Sequence, residues 1–229
     1  MRLTVRRGAP RPRGATPRRL LGLLALLAPL LAAGCAVETV RGAQTPAYRQ
    51  LEQPIRKVAV APFHVAERTA LRAEPGDQPA TQAALVARHF SEALRQRGVD
   101  VVAPSDLGRA LGVEAPGTDA LLPGTVVDVA TREFGVDAVV MGELTRFVER
   151  RGQAAGATRP ASVGFRVTLY GAPRGERLWT GAFDETQQAF SENVLSTSRY
   201  PGGGLRWLTA EELARWGAKE TAAALPLGW

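Results

Sequence analysis

The chain has 229 residues, of which 45% are hydrophobic and 22% charged, a composition that supports one packed domain and excludes disorder over the full length. Seven arginines in residues 1–34, a segment without any acidic residue, account for the whole formal net charge of +7. The remaining 22 basic side chains equal the 22 acidic ones in number, so no basic surface for nucleic acid is predicted.

The first segment has the layout of an export signal. After the arginines comes an uncharged apolar run, Leu20–Ala33. It is shorter than the roughly 20 residues of a membrane-spanning helix and fits the roughly 7 to 15 of a signal peptide. Cys35, the single cysteine of the chain, follows closely. It cannot form an internal disulfide, and a lipid anchor would give it a role.

The residues Ala32–Cys35 (AAGC) resemble the lipobox of bacterial lipoproteins, although a branched apolar residue usually stands where Ala32 does. The resemblance implies cleavage between Gly34 and Cys35, and attachment of diacylglycerol and palmitate at Cys35. Several acyl chains hold a protein stably on a membrane. Ala36 stands where an aspartate signals retention in the inner membrane of enteric bacteria, which favours the outer membrane, periplasmic face. The alternatives are an uncleaved anchor helix and a plain secretory signal cut elsewhere.

Residues 35–54 are predicted to be the lipidated cysteine and a flexible tether. Residues 36–54 have no sustained apolar period and contain Gly42, Pro46 and Pro54. A flexible chain of about 20 residues spans on the order of 25 Å. The folded domain is therefore predicted to begin at Ile55 and to occupy residues 55–229.

Within that domain the residue pattern predicts an α/β fold, a mixed sheet with two or three helices packed on it. The predicted strands are Arg56–Phe63, Val99–Val102, Asp137–Glu149, Ser162–Tyr170 and Glu176–Glu185. The predicted helices are Thr81–Arg97, Ser105–Leu111, Pro123–Phe134 and a terminal helix to about Leu225, which a capping box at Thr209 and Glu212 opens. Residues 67–79 and 188–208 are predicted to be loops.

Three stretches resemble the periplasmic α/β domain shared by the curli-secretion-channel lipoproteins and the amino-terminal domain of the Tol-system propeller protein. They are Arg56–Phe63, Gly135–Leu144 and Gly175–Trp179. The resemblance implies the same fold and a non-enzymatic periplasmic role in export or envelope assembly. It does not extend to a pore, because residues 65–79 are polar and short, and residues 154–161 are too short and do not alternate as membrane strands do.

Catalytic and metal-binding signatures are not found. His64 and His89 are the two histidines, and with Cys35 at the membrane they do not complete a nitrogen and sulfur set for zinc. We expect His89 at the boundary of a helix face, and His64 could line a pocket. Gly202–Gly204 precedes leucine and arginine, unlike a P-loop. The prediction is a protein that is not an enzyme and holds no cofactor or metal.

Adjacent carboxylates occur at Asp184-Glu185 and Glu211-Glu212. Neighbours on a strand point to opposite faces, and acidic residues suit the first turn of a helix, so both pairs are interpreted as structural. Tyr200 and Trp207 are the candidate partner surface, with packing of the loop onto the sheet as the alternative. Trp216 is expected in the core, since it lies three residues after Leu213 on one helix face.

The sequence thus predicts a lipid-anchored periplasmic binding or scaffold protein for export or envelope assembly. One alternative is an auxiliary lipoprotein of a lipid or polysaccharide transporter, which would dock a partner at a sheet edge or an apolar groove. Another is an envelope hydrolase with acidic residues in 187–208. The expected partners are the membrane, through the covalent lipid, and other envelope proteins, and homo-oligomerisation is left open.

Overall fold

The computed structural model describes residues 39–227, except residues 52, 74, 114–120, 189–199 and 203. The chain divides into two compact units, Met1–Val37 and Glu38–Trp229. The described residues, including every residue of the hydrophobic core, belong to the second unit. The predicted cleavage and lipidation site, Gly34 and Cys35, lies outside them. No helix within the described ranges has the length and apolar character needed to cross a membrane.

The described residues contain nine strands, five α-helices and a 3₁₀ helix at Pro46–Gln50. The strands are β1 Val40–Gln44, β2 Lys57–Val60, β3 His64–Val65, β4 Asp100–Val102, β5 Ala138–Val148, β6 Arg151–Gln153, β7 Gly156–Arg159, β8 Ser162–Gly171 and β9 Arg177–Thr186. The helices are α1 Glu67–Leu71, α2 Pro79–Gln96, α3 Pro104–Ala110, α4 Pro123–Phe134 and α5 Ala210–Ala224.

The main sheet is mixed, as predicted. Its strand order is β1-β9-β8-β5-β2-β4, and β3 pairs with β5 beside that path. β2 is parallel to β4 and β5, whereas β5, β8, β9 and β1 pair antiparallel. β6 and β7 form a separate hairpin. The α/β class is confirmed.

Two hydrophobic clusters cover opposite faces of the sheet. On one face α2 and α5 pack on alternate residues of the strands, Val58, Val140 and Phe165 among them. On the other face α3 and α4 pack on the residues between, such as Ala59 and Val139. The central parallel strands are therefore buried on both faces, which explains their continuous apolar sequence.

The predicted start of the domain at Ile55 is wrong, because residues 40–50 belong to the fold. β1 pairs with β9 in the register from Val40↔Phe183 to Gln44↔Trp179. Its other residues are exposed, as expected of an edge strand, and Val40 alone in β1 is buried. Gly42 lies under the Trp179 ring, which a Cβ at Gly42 would approach to 3.0 Å. Such a strand carries no apolar period and is easily taken for a tether.

The segment predicted as a loop at residues 67–79 also contains structure, the short helix α1. The longer elements agree with prediction to within a few residues. All five residues of the predicted apolar face of α2 are buried: Ala83, Val86, Phe90, Ala93 and Leu94. The capping box at the start of α5 is present, with Thr209 as its N-cap and Glu212 at the third position.

The contact of α5 with the sheet depends on a glycine. A Cβ at Gly217 would lie 2.6 Å from ring carbons of Phe183, which stacks on Phe165. We expect Gly217→Ala to destabilise the fold, because overpacking costs about 1–3 kcal/mol while the gain in helix propensity is at most about 1 kcal/mol. Gly124→Ala in α4, where nothing lies within 4 Å, should leave stability unchanged or raise it. Urea unfolding measures both changes, and equal effects would contradict this packing.

Candidate functional site

A groove with a volume of about 540 Å³ runs between α2 and α5. Its floor includes His89 and Trp216, which are 5% and 8% exposed. The rest of its lining is mostly charged: Glu92, Gln96, Arg206, Glu212, Arg215, Lys219 and Glu220, with Ala93 and Pro201. Sequence reasoning did not single out this groove, because its charges are spread along two helices and a loop.

His89 is buried between two carboxylates. Its Nδ1 lies 3.6 Å from an oxygen of Glu92 on α2, and its Nε2 lies 3.6 Å from an oxygen of Glu211 on α5. Neither ring nitrogen makes a hydrogen bond within the described residues. Burial, and then the charge of Arg215, lowers the pKa of His89, while Glu92 and Glu211 act in the opposite direction. His89 is therefore neutral at neutral pH.

The charges beside His89 are largely paired with one another. Arg215 Nη2 lies 3.2 Å from Glu211 Oε1, one turn earlier on α5. Arg206 donates to both oxygens of Glu212, at 2.9 and 2.7 Å. The described residues contain no group of three potential metal ligands. The groove therefore offers polar contacts of both signs.

The amino terminus of α5 is fixed by four residues, Thr209, Glu212, Arg206 and Glu149. Thr209 accepts a hydrogen bond from the Glu212 amide at 3.1 Å, and Glu212 accepts one from the Thr209 amide at 2.9 Å. The Arg206 hydrogen bonds are the largest cause that lowers the pKa of Glu212 to about 2. Glu149 of the loop after β5 accepts from the Ala210 amide as well.

The two candidate surface aromatics lie in different environments. Tyr200 is 2% exposed and packs edge-on against Trp216, with a ring centroid distance of 5.3 Å. Its hydroxyl donates to Glu185. Tyr200 is thus a core residue and not part of a surface, because the loop folds it under α5. Trp216 is in the core as predicted, edge-on to Phe183 as well.

Trp207 is half-buried and remains accessible. Its amide donates to the Ala154 carbonyl in the turn of the β6–β7 hairpin at 2.9 Å. The buried Gln187, directly after β9, donates to the Arg206 carbonyl at 2.8 Å and accepts from the Leu208 amide at 2.7 Å. The described part of residues 187–208 is therefore a loop held by hydrogen bonds at Gln187 and Trp207, and Glu192, the one acidic residue of this segment, lies outside the described ranges.

The remaining candidates for chemistry are separated. His64 lies 3.7 Å from Glu143 as the start of β3 meets β5, and Arg166 also contacts that carboxylate at 3.0 Å. Asp184 pairs with Arg146, whereas Glu185 binds Tyr200, so the adjacent carboxylates diverge as the strand period predicts. Glu211 and Glu212 occupy the first turn of α5, also as predicted.

No family model and no curated protein matches the chain. Similar solved structures include the PelC dodecamer from Paraburkholderia phytofirmans, with 15% identity and a TM-score of 0.47 over 83% of this chain and 99% of that chain. Lipoprotein GNA1162 from Neisseria meningitidis has 17% identity and a TM-score of 0.39 over 60% and 85%. The C-terminal domain of LpoB from Salmonella enterica has 16% identity and a TM-score of 0.36 over 59% and 85%.

These three similar structures are of bacterial proteins, one of them a lipoprotein. At these identities and TM-scores the likeness carries no inference about activity or assembly. The resemblance to the curli-channel and Tol proteins stays a prediction.

We expect stability to fall as the pH is lowered through the range in which the unfolded His89 takes up a proton. Because the folded-state pKa lies below the ordinary value of 6.5, the unfolded state binds more protons in that window, and stability is fully present only above it. Urea unfolding from neutral to mildly acidic pH should show this slope, and His89→Gln should flatten it. A profile identical for wild type and His89→Gln would contradict the assignment.

We expect Glu212→Gln to lower the free energy of unfolding at neutral pH by up to about 1 kcal/mol. Glutamine still accepts from the Thr209 amide, so the change isolates the charged pairing with Arg206. In the wild type this stabilisation is present above the ordinary carboxyl pKa of 4.5 and is lost as the pH falls toward about 2. Arg206→Gln should give a similar loss, and additive losses in the double variant would contradict a shared interaction.

Proposed function

We propose that the chain is a bacterial lipoprotein, anchored by acyl chains on Cys35 at the periplasmic face of the outer membrane. Its α/β domain would act there as a binding or scaffold protein in export or envelope assembly, without catalysing a reaction. The observation that carries the proposal is the arginine-rich leader with a fourteen-residue apolar run, followed by Gly34 and the chain's single cysteine.

The folded unit is compatible with this role. Outside the leader its basic and acidic residues balance, so attachment by general electrostatics is not expected. Its charged groove lacks a metal-binding cluster within the described residues, and the adjacent carboxylates diverge. A binding protein needs surfaces rather than convergent catalytic groups, which is why a non-enzymatic role is proposed.

An auxiliary lipoprotein of a lipid or polysaccharide transporter is the second candidate. It requires a sheet edge or an apolar groove for docking. β1 is such an edge, with Arg41–Gln44 exposed, whereas the groove between α2 and α5 is mostly charged. Crosslinking in intact cells from crosslinkable residues introduced into β1 would distinguish the two candidate functions, because only the transporter role requires a transport protein at this edge.

We expect Cys35→Ser to abolish acylation and to accumulate uncleaved precursor in a Gram-negative host, because the peptidase acts on the lipid-modified cysteine. Mass spectrometry of the purified protein measures both the mass added at Cys35 and the amino terminus. An unmodified Cys35 in the wild-type mature product, or the same processing in Cys35→Ser, would overturn the anchoring.

The matched variant for localisation is Ala36→Asp. In an enteric host the wild type should fractionate with the outer membrane, and Ala36→Asp should move to the inner membrane with acylation unchanged. Density-gradient separation of the two membranes measures the shift. Wild-type protein in the inner membrane would contradict the proposed location while leaving the lipid anchor intact.

A further inference from the structure

The chain between the proposed anchor and the fold is short. Four residues, 36–39, separate Cys35 from Val40, the first residue of β1. An extended chain advances about 3.5 Å per residue, so Cys35 and Val40 can be at most about 17 Å apart. The sheet is longer than that, since the ten residues of β8 span about 33 Å. If Cys35 is anchored as proposed above, the end of the sheet at Val40 stays close to the membrane. We call the end of the sheet at which Val40 lies the entry end.

Strand register identifies what else lies at the entry end. Val40 pairs with Phe183, Phe183 with Phe165, and Phe165 with Leu144. The helix α1 is attached at this level of β5, because the Ala66 amide donates to the Leu144 carbonyl at 2.9 Å. The Thr69 hydroxyl donates to the next carbonyl, that of Thr145, at 2.6 Å. α1 therefore lies at the entry end.

The loop before α5 reaches the same end. Gln187 directly follows the last residue of β9, and its side chain binds the Arg206 carbonyl. The next residue, Trp207, binds the turn of the β6–β7 hairpin through its amide. Leu205 thus projects from the segment held beside the end of β9.

The entry end carries two of the three exposed large hydrophobic residues found in the described ranges. Leu71 at the end of α1 is 78% exposed, and Leu205 is 80% exposed. Arg68 and Arg72 flank Leu71 and are exposed, with Glu67 as the acidic residue of the same helix. Apolar side chains beside arginines are the composition of surfaces that lie in the headgroup layer of a membrane.

We propose that the entry end docks on the phospholipid headgroups of the leaflet that holds Cys35. Leu71 and Leu205 enter the headgroup layer, and Arg68 and Arg72 bind the lipid phosphates. Two leucines and two arginines bind a membrane weakly on their own, but the short link to Cys35 keeps them at a high local concentration near it. The opposite end of the sheet, at the β8–β9 turn, then faces the periplasm.

The test uses residues 35–229, which contain the whole folded unit, coupled through the single thiol to a maleimide lipid in vesicles of phosphatidylethanolamine and phosphatidylglycerol. Hydrogen exchange is compared before and after coupling. We expect slower exchange in residues 67–72 and 205–207, and unchanged exchange in the turn at residues 172–176. Protection confined to that turn, or absent everywhere, would overturn the proposal.

Variants separate lipid binding from other causes. Arg68→Glu with Arg72→Glu should lose the protection, and Leu71→Ser with Leu205→Ser should weaken it. Arg56→Glu with Arg177→Glu changes the net charge equally at the opposite end and should keep it. If both arginine pairs behave alike, general charge attraction explains the result and the surface is wrong.

The density of coupled protein distinguishes lipid from a second copy of the chain. Protection by lipid is the same at low and high surface density, whereas protection that appears only at high density would show self-association and overturn the proposal. Chemical coupling replaces acylation in this experiment. An unmodified Cys35 in cells would therefore remove the proposed anchor without changing the vesicle result, and the two failures remain distinguishable.

Discussion

The antiparallel pairing of β1 with β9 is the constraint on which the placement of the folded unit depends. It joins segments that are far apart in the sequence through main-chain hydrogen bonds and needs little from the β1 side chains. Trp179 reinforces this pairing, because its ring lies over Gly42 and Gly181. A glycine has no Cβ, so both positions leave room for the ring. Without this pairing, residues 36–54 could span on the order of 25 Å and permit any orientation of the domain.

The helix α5 is the second element that holds the fold together, and both of its ends are satisfied by specific partners. Thr209 and Glu212 cap the first turn, and Arg97 after α2 donates to the carbonyls of Ala222 and Leu225 in the last. Between these ends, Trp216 packs on Phe183. Because α5 is held at both ends, its contact with α2 tolerates a residue whose burial costs free energy.

His89 of α2 is the residue that is costly to bury at the contact with α5. Its environment shows how this free-energy cost is limited. Burying an imidazolium is far less favourable than burying a neutral imidazole, so desolvation keeps the ring uncharged even with two carboxylates 3.6 Å away. Arg215 pairs with Glu211 and weakens the attraction that would favour protonation. The groove above His89 thus results from the packing of α2 against α5, and its charges neutralise one another.

The two ends of the sheet differ in their exposed apolar side chains, which fits a domain with one end against a membrane. At the end opposite Val40, Asp137 accepts from the amides of Arg56 and Lys57, both at 2.8 Å, and the Thr45 hydroxyl donates to main-chain carbonyls. Side-chain oxygens satisfy main-chain amides and carbonyls there, and none of these segments contains an exposed leucine. At the entry end, by contrast, leucines project from short, irregular segments.

Whether the sequence could predict an element of the fold depends on the kind of sequence pattern that the element carries. α2 was predictable because its apolar residues recur over about three turns, and α5 because its cap is a local motif. β1 and α1 span five residues each, too few for a period, and their stability comes from partners far away in sequence.

The candidate site follows the same division. Tyr200 and Trp207 were singled out as a class of residue that partners often bind, yet whether an aromatic ring faces solvent depends on how its loop packs. Tyr200 is covered by Trp216, whereas the exposure of Leu71 and Leu205 arises because α1 and a loop are brought to one end of the sheet. A single leucine has no local signature of exposure, and only the assembled strand order reveals that two of them lie at one end of the sheet.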